Sequence, residues 1–337
     1  MPPIPHPGRP RRPGRTLRPS RPGRPRRPGS PGPPTIVVLG DLMLDVVLVP
    51  ARPLERGTDV PGRVSLVQGG SAASTARWIA RLGARSSLIA AVGRDAAGRA
   101  LVDALKADGV TPRVSRIAGA RTGRIGVFVA PGGERSFVAD RGAADLLEPD
   151  VLRAAWFAGA DALHLPVYSL LGDPLGAAGS RAIALARDAG AAVSVDLASI
   201  GPLLAGGRRA ARELIGQIAP DLLFATAAEA EALLGGRPVE GLLEYASTAV
   251  VKRGAKGATV LTRLGADRTR FEVATEHLSA TDTTGAGDAF DAGFVVGWFT
   301  ARAAGQSLPA SLQRAAVTGH RAAARQLSMP RPELALG

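Results

Sequence analysis

The stretch Asp282-Thr-Thr-Gly-Ala-Gly-Asp-Ala-Phe-Asp-Ala-Gly-Phe294 runs into an apolar pattern at Phe290, Phe294, Val295, Trp298 and Phe299. It reads as a Gly-rich loop entering a buried helix. A helix start offers backbone N–H groups that lack intrahelical partners, and Gly285 and Gly287 let the main chain come close to an anion, so a phosphate fits there. Asp288 then falls in the first turn, beside that anion. A carboxylate next to a phosphate is repelled by it, which makes sense if the carboxylate takes the proton of an attacking hydroxyl during phosphoryl transfer. The competing reading is that Asp288 only complements the helix dipole.

Outward from this stretch, short apolar runs alternate with segments of helical period, the pattern of a parallel sheet covered by helices. Strands are expected at Ile36–Leu39, Leu88–Val92, Ala162–Leu165, Ala192–Val195, Leu222–Ala225, Thr248–Val251 and Ala258–Leu261. Helices are expected at about Ala72–Leu82, Gly98–Asp108, Gly176–Asp188, Arg208–Ile218 and Ala227–Leu234. Two stretches break the rhythm, Val46–Val67 and Thr122–Ala139, the second with a Gly-rich turn between half-apolar runs. Together they are expected to form a small β-sheet lid over the carboxyl ends of the strands, where open α/β sheets bind ligands.

The first 34 residues are almost entirely Pro, Gly and Arg and read as a disordered tail, with the folded domain over 35–330 and a short C-terminal tail at 331–337. The formal charge of +13 owes much to nine arginines between Arg9 and Arg27; without them 33 basic residues face 29 acidic ones. A basic tail attracts polyanions, yet a plain solvated extension accounts for it equally simply, and nucleic acid is not the expected partner. No apolar stretch follows the charged start, as a secretory signal requires, and none is long enough to span a membrane. A cytoplasmic protein is expected. The absence of cysteine removes disulfide, thiolate and iron–sulfur chemistry, and the four scattered histidines give no zinc pattern.

The Asp282–Phe294 string resembles the second signature of the ribokinase-like (PfkB) carbohydrate kinases. The resemblance implies a three-layer α/β fold with a mostly parallel central sheet, Asp288 as the base, and Gly285, Ala286 and Gly287 as the anion hole. It extends over nearly all of Thr35–Leu327. Ile36-Val-Val-Leu-Gly-Asp-Leu-Met-Leu-Asp45 is similar to the family's first strand and implies Asp45 as a ligand of substrate hydroxyls, a role that suits a carboxylate with two acceptor oxygens. Gly69-Gly-Ser-Ala-Ala-Ser-Thr-Ala-Arg-Trp-Ile-Ala-Arg-Leu-Gly83 resembles the first signature, with Gly69 and Gly70 admitting the sugar. Arg141 follows the lid and is expected either at substrate or phosphate or in solvent. Val250-Val-Lys-Arg-Gly-Ala-Lys-Gly-Ala258 makes Lys252 and Gly257 nucleotide-site candidates, an ordinary strand-end lysine being the alternative for Lys252. Asp282 and Thr284 match positions that bind a monovalent cation, such as potassium, in some relatives.

Two departures remove an amide: Ser74 stands where the first signature has asparagine, and Thr226-Ala-Ala-Glu229 stands for the family's Asn-x-x-Glu, in a chain without any asparagine. Glu229 is implied to order water around Mg2+. The expected activity is ATP- and Mg2+-dependent phosphorylation of a hydroxyl, taken as a primary alcohol, on a small sugar or sugar acid. The alternatives are a nucleoside kinase of the same fold and a non-catalytic sugar or nucleotide binder, the latter suggested by Ser74 and Thr226. Low aromatic content, 4%, tilts away from a purine acceptor. A homodimer through the lid is a further expectation.

Overall fold

The computed structural model describes residues 32–130, 134–265, 267–276, 283–329 and 331–336. The chain starts with β1 (Thr35–Leu39), β2 (Met43–Pro50), β3 (Gly62–Gly69), α1 (Ser71–Arg81), β4 (Arg85–Gly93) and α2 (Ala96–Ala107). It continues through β5 (Thr111–Ile117), β6 (Arg124–Val129), β7 (Arg135–Asp140), β8 (Ala162–Pro166), α3 (Leu175–Asp188) and β9 (Ala192–Asp196). Then come α4 (Ile200–Leu204), α5 (Gly207–Ile218), β10 (Leu222–Thr226), α6 (Ala227–Leu234), β11 (Thr248–Lys252), β12 (Ala258–Leu264) and β13 (Asp267–Val273). The long helices α7 (Ala286–Ala303) and α8 (Leu308–Ser328) complete it.

A nine-stranded sheet has the order β13-β12-β11-β10-β9-β8-β1-β4-β5, parallel from β11 through β5 and antiparallel at the β12 and β13 edge. Its interior strands are apolar on both faces because helices cover both. Successive side chains alternate: Ile36 and Val38 of β1 enter the layer with α1, α2, α7 and α8, and Val37 and Leu39 enter the layer with α3, α5 and α6. This is the expected three-layer α/β architecture. The expected strands and helices all form near their anticipated bounds.

The small sheet has the order β3-β2-β6-β7, so both interrupting stretches do build one lid. Its hairpin tip, residues 131–133, lies outside the described residues, as does nearly all of the Arg-rich tail. Asp45 pairs with Val67 and Ile125 across the lid, which puts its side chain on the face turned to the main sheet. The opposite face leaves Leu48, Val64 and Val138 exposed.

Four elements went unanticipated, the short α4 and three longer ones. β5 and β13 are edge strands rich in Arg, Thr and Asp. α8 packs on α7 along small residues: a Cβ on Gly293 would stand 2.7 Å from the Thr318 carbonyl, and one on Gly319 2.8 Å from the Phe290 carbonyl. Residues 331–336, expected to be a tail, instead follow the lid edge. Glu333 bridges to Val67, and the Leu334 amide donates to the Leu66 carbonyl at 2.7 Å. Leu334 also packs against the core.

Candidate active site

A cavity of about 1040 Å³ lies between the lid and the carboxyl ends of the main strands. At its lid end, the turn after β1 brings Asp41 to the start of α1. The Asp41 carboxylate accepts from the Ala72 amide at 3.0 Å, supplying the cap that Gly70 has no side chain to give. Gly70 itself has φ +97°, and a Cβ there would sit 2.4 Å from the Asp41 carbonyl. At Gly69 a Cβ would fall 1.7 Å from Asp45 Oδ1. Both glycines are therefore required by close approach, and Gly69 is what lets Asp45 lie against the strand. Arg331 donates to Asp45 Oδ2 at 2.8 Å. Arg141 donates to Asp145 at 2.6 Å, stands 3.6 Å from Asp41 Oδ2 and covers the Tyr168 ring. It is thus a cavity residue and not a solvated one.

At the other end, α7 starts at Gly285, whose φ of +76° turns the loop into the helix. Ala286 and Gly287 form the first turn and Asp288 follows. Gly285, Gly287 and Asp288 line the cavity, with Ser74 of α1 beside Gly285. Asp288 accepts from the Ser71 hydroxyl at 2.6 Å. The residue keeps an edge toward the cavity, while protein surrounds the rest of its carboxyl. Burial pushes its pKa up to about 7; Asp196 and Asp41 push the same way, and the Ser71 hydrogen bond and the Lys252 charge oppose them. Gln326 of α8 steadies the loop from behind: its amide donates to the Thr284 carbonyl at 3.1 Å and accepts from Trp78 Nε1 at 2.8 Å. Arg135 of β7 donates to the hydroxyls of Thr283 and Thr284. That guanidinium supplies positive charge in the loop where a monovalent cation was expected. Asp282, the other residue expected there, lies outside the described residues.

The floor between these ends is ionic. Lys252, at the end of β11, reaches Asp196 Oδ1 at 3.1 Å and the Asp291 oxygens at 3.1 and 3.0 Å. Burial works against its charge, but Asp196 and Asp291 outweigh that and hold the ammonium protonated. Thr226 and Glu229 make a reciprocal capping box at the start of α6: the Glu229 amide donates to Thr226 Oγ1 at 3.2 Å, and the Thr226 amide donates to Glu229 Oε2 at 2.7 Å. Threonine thus preserves the cap that asparagine would give. Burial, and then Asp196, raise the Glu229 pKa. Glu229, Asp196 and Thr226 all line the cavity and give oxygen donors that suit a hydrated magnesium ion.

Of the residues singled out in the sequence, Asp45, Gly69, Gly70, Ser74, Arg141, Thr226, Glu229, Lys252, Thr284, Gly285, Gly287 and Asp288 all line this one cavity. Gly257 does not. It turns β11 into β12 with φ +84°, and a Cβ there would lie 2.2 Å from the Val273 carbonyl, reason enough for a glycine. Missed were Asp41, Ser71, Asp196, Asp291, Gln326 and Arg331. Asp41, Ser71 and Asp291 sit inside the quoted motifs, and Asp196 ends a recognised strand, so the rule that strand ends carry function would have found it. Gln326 and Arg331 have no local signal.

Asp288 beside the start of α7, an acidic floor and the Asp45 carboxylate under the lid share one cavity, an arrangement that suits phosphoryl transfer. The profile described as pfkB family carbohydrate kinase matches residues 34–330, and the chain belongs to that family. Over 268 residues it is 29% identical to the probable fructokinase-2 of Arabidopsis thaliana, covering 76% of this chain and 78% of that one. Over 279 residues it is 32% identical to the 2-dehydro-3-deoxygluconokinase of Thermoproteus tenax, covering 79% and 81%. Among solved structures, the adenosine kinase of Sinorhizobium meliloti superposes with a TM-score of 0.75 at 25% identity, over 90% of this chain and 98% of that one. No helix among the described residues is long and apolar enough to cross a membrane.

Proposed function

We propose that this ATP-dependent sugar kinase binds its acceptor between Asp45, Gly69, Gly70 and Arg141, and that Asp288 removes the proton of the attacked hydroxyl. The observation that carries the reading is Asp288 itself, in the first turn of α7, on the cavity wall, with burial bringing its pKa to about 7. A base poised there is partly deprotonated near neutral pH and still basic enough to act. The hydroxyl oxygen forms the new bond to the γ-phosphorus of ATP as its proton passes to Asp288, and the bond to the leaving ADP oxygen breaks. The start of α7 at Gly285 and Gly287, both on the cavity wall, faces the charge on the transferring group, whereas the Ala286 amide is engaged by the Thr283 carbonyl. Magnesium, when bound, would supply positive charge against the phosphates, and Glu229 would hold it through water.

The acceptor is a small polyol, as the curated relatives' names suggest. Two of the three aromatic side chains that line the cavity are engaged, Trp78 by its indole bond to Gln326 and Tyr168 by Arg141 over its ring, while Phe137 of β7 is exposed. The exposed apolar outer face of the lid favours a homodimer made through it. A coupled assay of ADP release over pentoses, hexoses, keto-deoxy sugar acids and nucleosides tests the function. Turnover is expected with a ketohexose or a sugar acid. Binding without turnover on the whole panel would make the protein a sensor, and turnover on nucleosides alone would reassign the acceptor.

A further inference from the structure

The buried charges under the α7 cradle have no part in the proton transfer just described, yet they are the most tightly connected ionic group of the cavity. Lys252 comes from the end of β11, Asp196 from the end of β9, and Asp291 from α7, one turn beyond Asp288. Asp291 is fully buried, and the Lys252 side chain is 11% exposed. An ammonium has three N–H donors, and here three carboxylate oxygens stand at 3.0 to 3.1 Å from it. The donors are thus committed to carboxylates, which favours an anchor over a phosphate ligand. The ammonium also lies directly below the cradle, since a Cβ on Gly287 would come within 3.5 Å of Nζ.

We propose that Lys252 is a positioning residue that ties α7 to the carboxyl ends of β9 and β11 and thereby sets where Asp288 stands against the acceptor hydroxyl. The inference rests on Asp288 as the base. The same ammonium acts on Asp288 through space. The groups facing that carboxyl are Ser71 from α1, Asp41 from the turn after β1, Asp196, Asp291 and Lys252, and the lysine brings the positive charge among them. Without it, the carboxylate form of Asp288 is less favoured, and the base holds its proton to higher pH.

The test is the pH profile of kcat at saturating ATP and sugar. In the parent enzyme the acid limb reports the base, and its loss in Asp288→Asn tests that assignment separately. Lys252→Met is expected to move the limb up by about one unit, close to a tenfold loss of kcat below it, with KM for ATP unchanged. Lys252→Arg, which keeps the charge, is expected to leave the limb in place. A limb that stays put while kcat drops evenly at every pH, or a raised KM for ATP, overturns the proposal. If Lys252→Met fails to fold, Asp291→Asn decides, because it loosens the α7 end of the tie and leaves the ammonium in place. A fall in kcat of about tenfold at unchanged KM for ATP supports the tie; unchanged kinetics or a raised KM for ATP overturns it.

Discussion

At the Asp288 end of the cavity, the charged side chains hang from the nine-stranded sheet and its helices, with Asp196, Glu229 and Asp291 buried. At the Asp45 end the wall is a four-stranded sheet with one exposed face, and its positive charges, Arg141 and Arg331, come from connecting segments. The difference teaches a division of labour. On the proposed roles, transfer chemistry, which tolerates little movement, is seated in packed core, whereas recognition falls to a thin layer built outside it.

The sharpest way to break this contrast is to change one group at each end and separate kcat from KM. Asp288→Asn is expected to lower kcat by on the order of a hundredfold or more with ATP affinity retained, measured by single-turnover kinetics and ATP titration. Gly69→Ala drives a methyl group into Asp45. It is expected to raise the sugar KM by roughly ten- to a hundredfold while changing kcat less. If Gly69→Ala instead struck kcat alone, the division would be wrong. For the parent enzyme, kcat is expected to fall about tenfold per pH unit below a midpoint near the raised Asp288 pKa of about 7. The sign follows from the role: a base works when deprotonated, so protonation on acidification removes it. The smallest effect sharpens the picture at the floor. Thr226→Ala breaks the capping box and should cost about 1 kcal/mol, a drop in Tm of a few degrees by calorimetry, with the sugar KM untouched.

The core end was also the more legible in the sequence. Val- and Leu-rich runs such as Ile36–Leu39 and Leu222–Ala225 declare strands buried on both faces, and the Gly-Ala-Gly-Asp string places Asp288 at a helix start without any tertiary information. β5 escaped notice because an edge strand with Pro112, Arg113 and Arg116 carries no apolar alternation. α8 escaped because its seam is Ala315, Ala316, Gly319 and Ala322, residues too small to mark a face by hydropathy. Arg331 could not be found by any local rule, since its pairing with Asp45 arises only from how the chain returns to the lid. Thr226 shows the opposite case: a departure from the family pattern looked like a loss, and the geometry shows a hydroxyl making the same cap. Ser74 stands beside Gly285 with its hydroxyl turned to the loop.

The contacts that complete the cavity join residues far apart along the chain: Ser71 meets Asp288 across 217 positions, and Asp45 meets Arg331 across 286. During synthesis, the strands of the lid and of the large sheet leave the ribosome before α7 does. A nascent protein at that stage has the lid strands with Asp45, but neither Asp288, the proposed base, nor the Arg331 that pairs with Asp45. Folding and competence therefore separate in time, and turnover begins only when the final two helices arrive to close the far side.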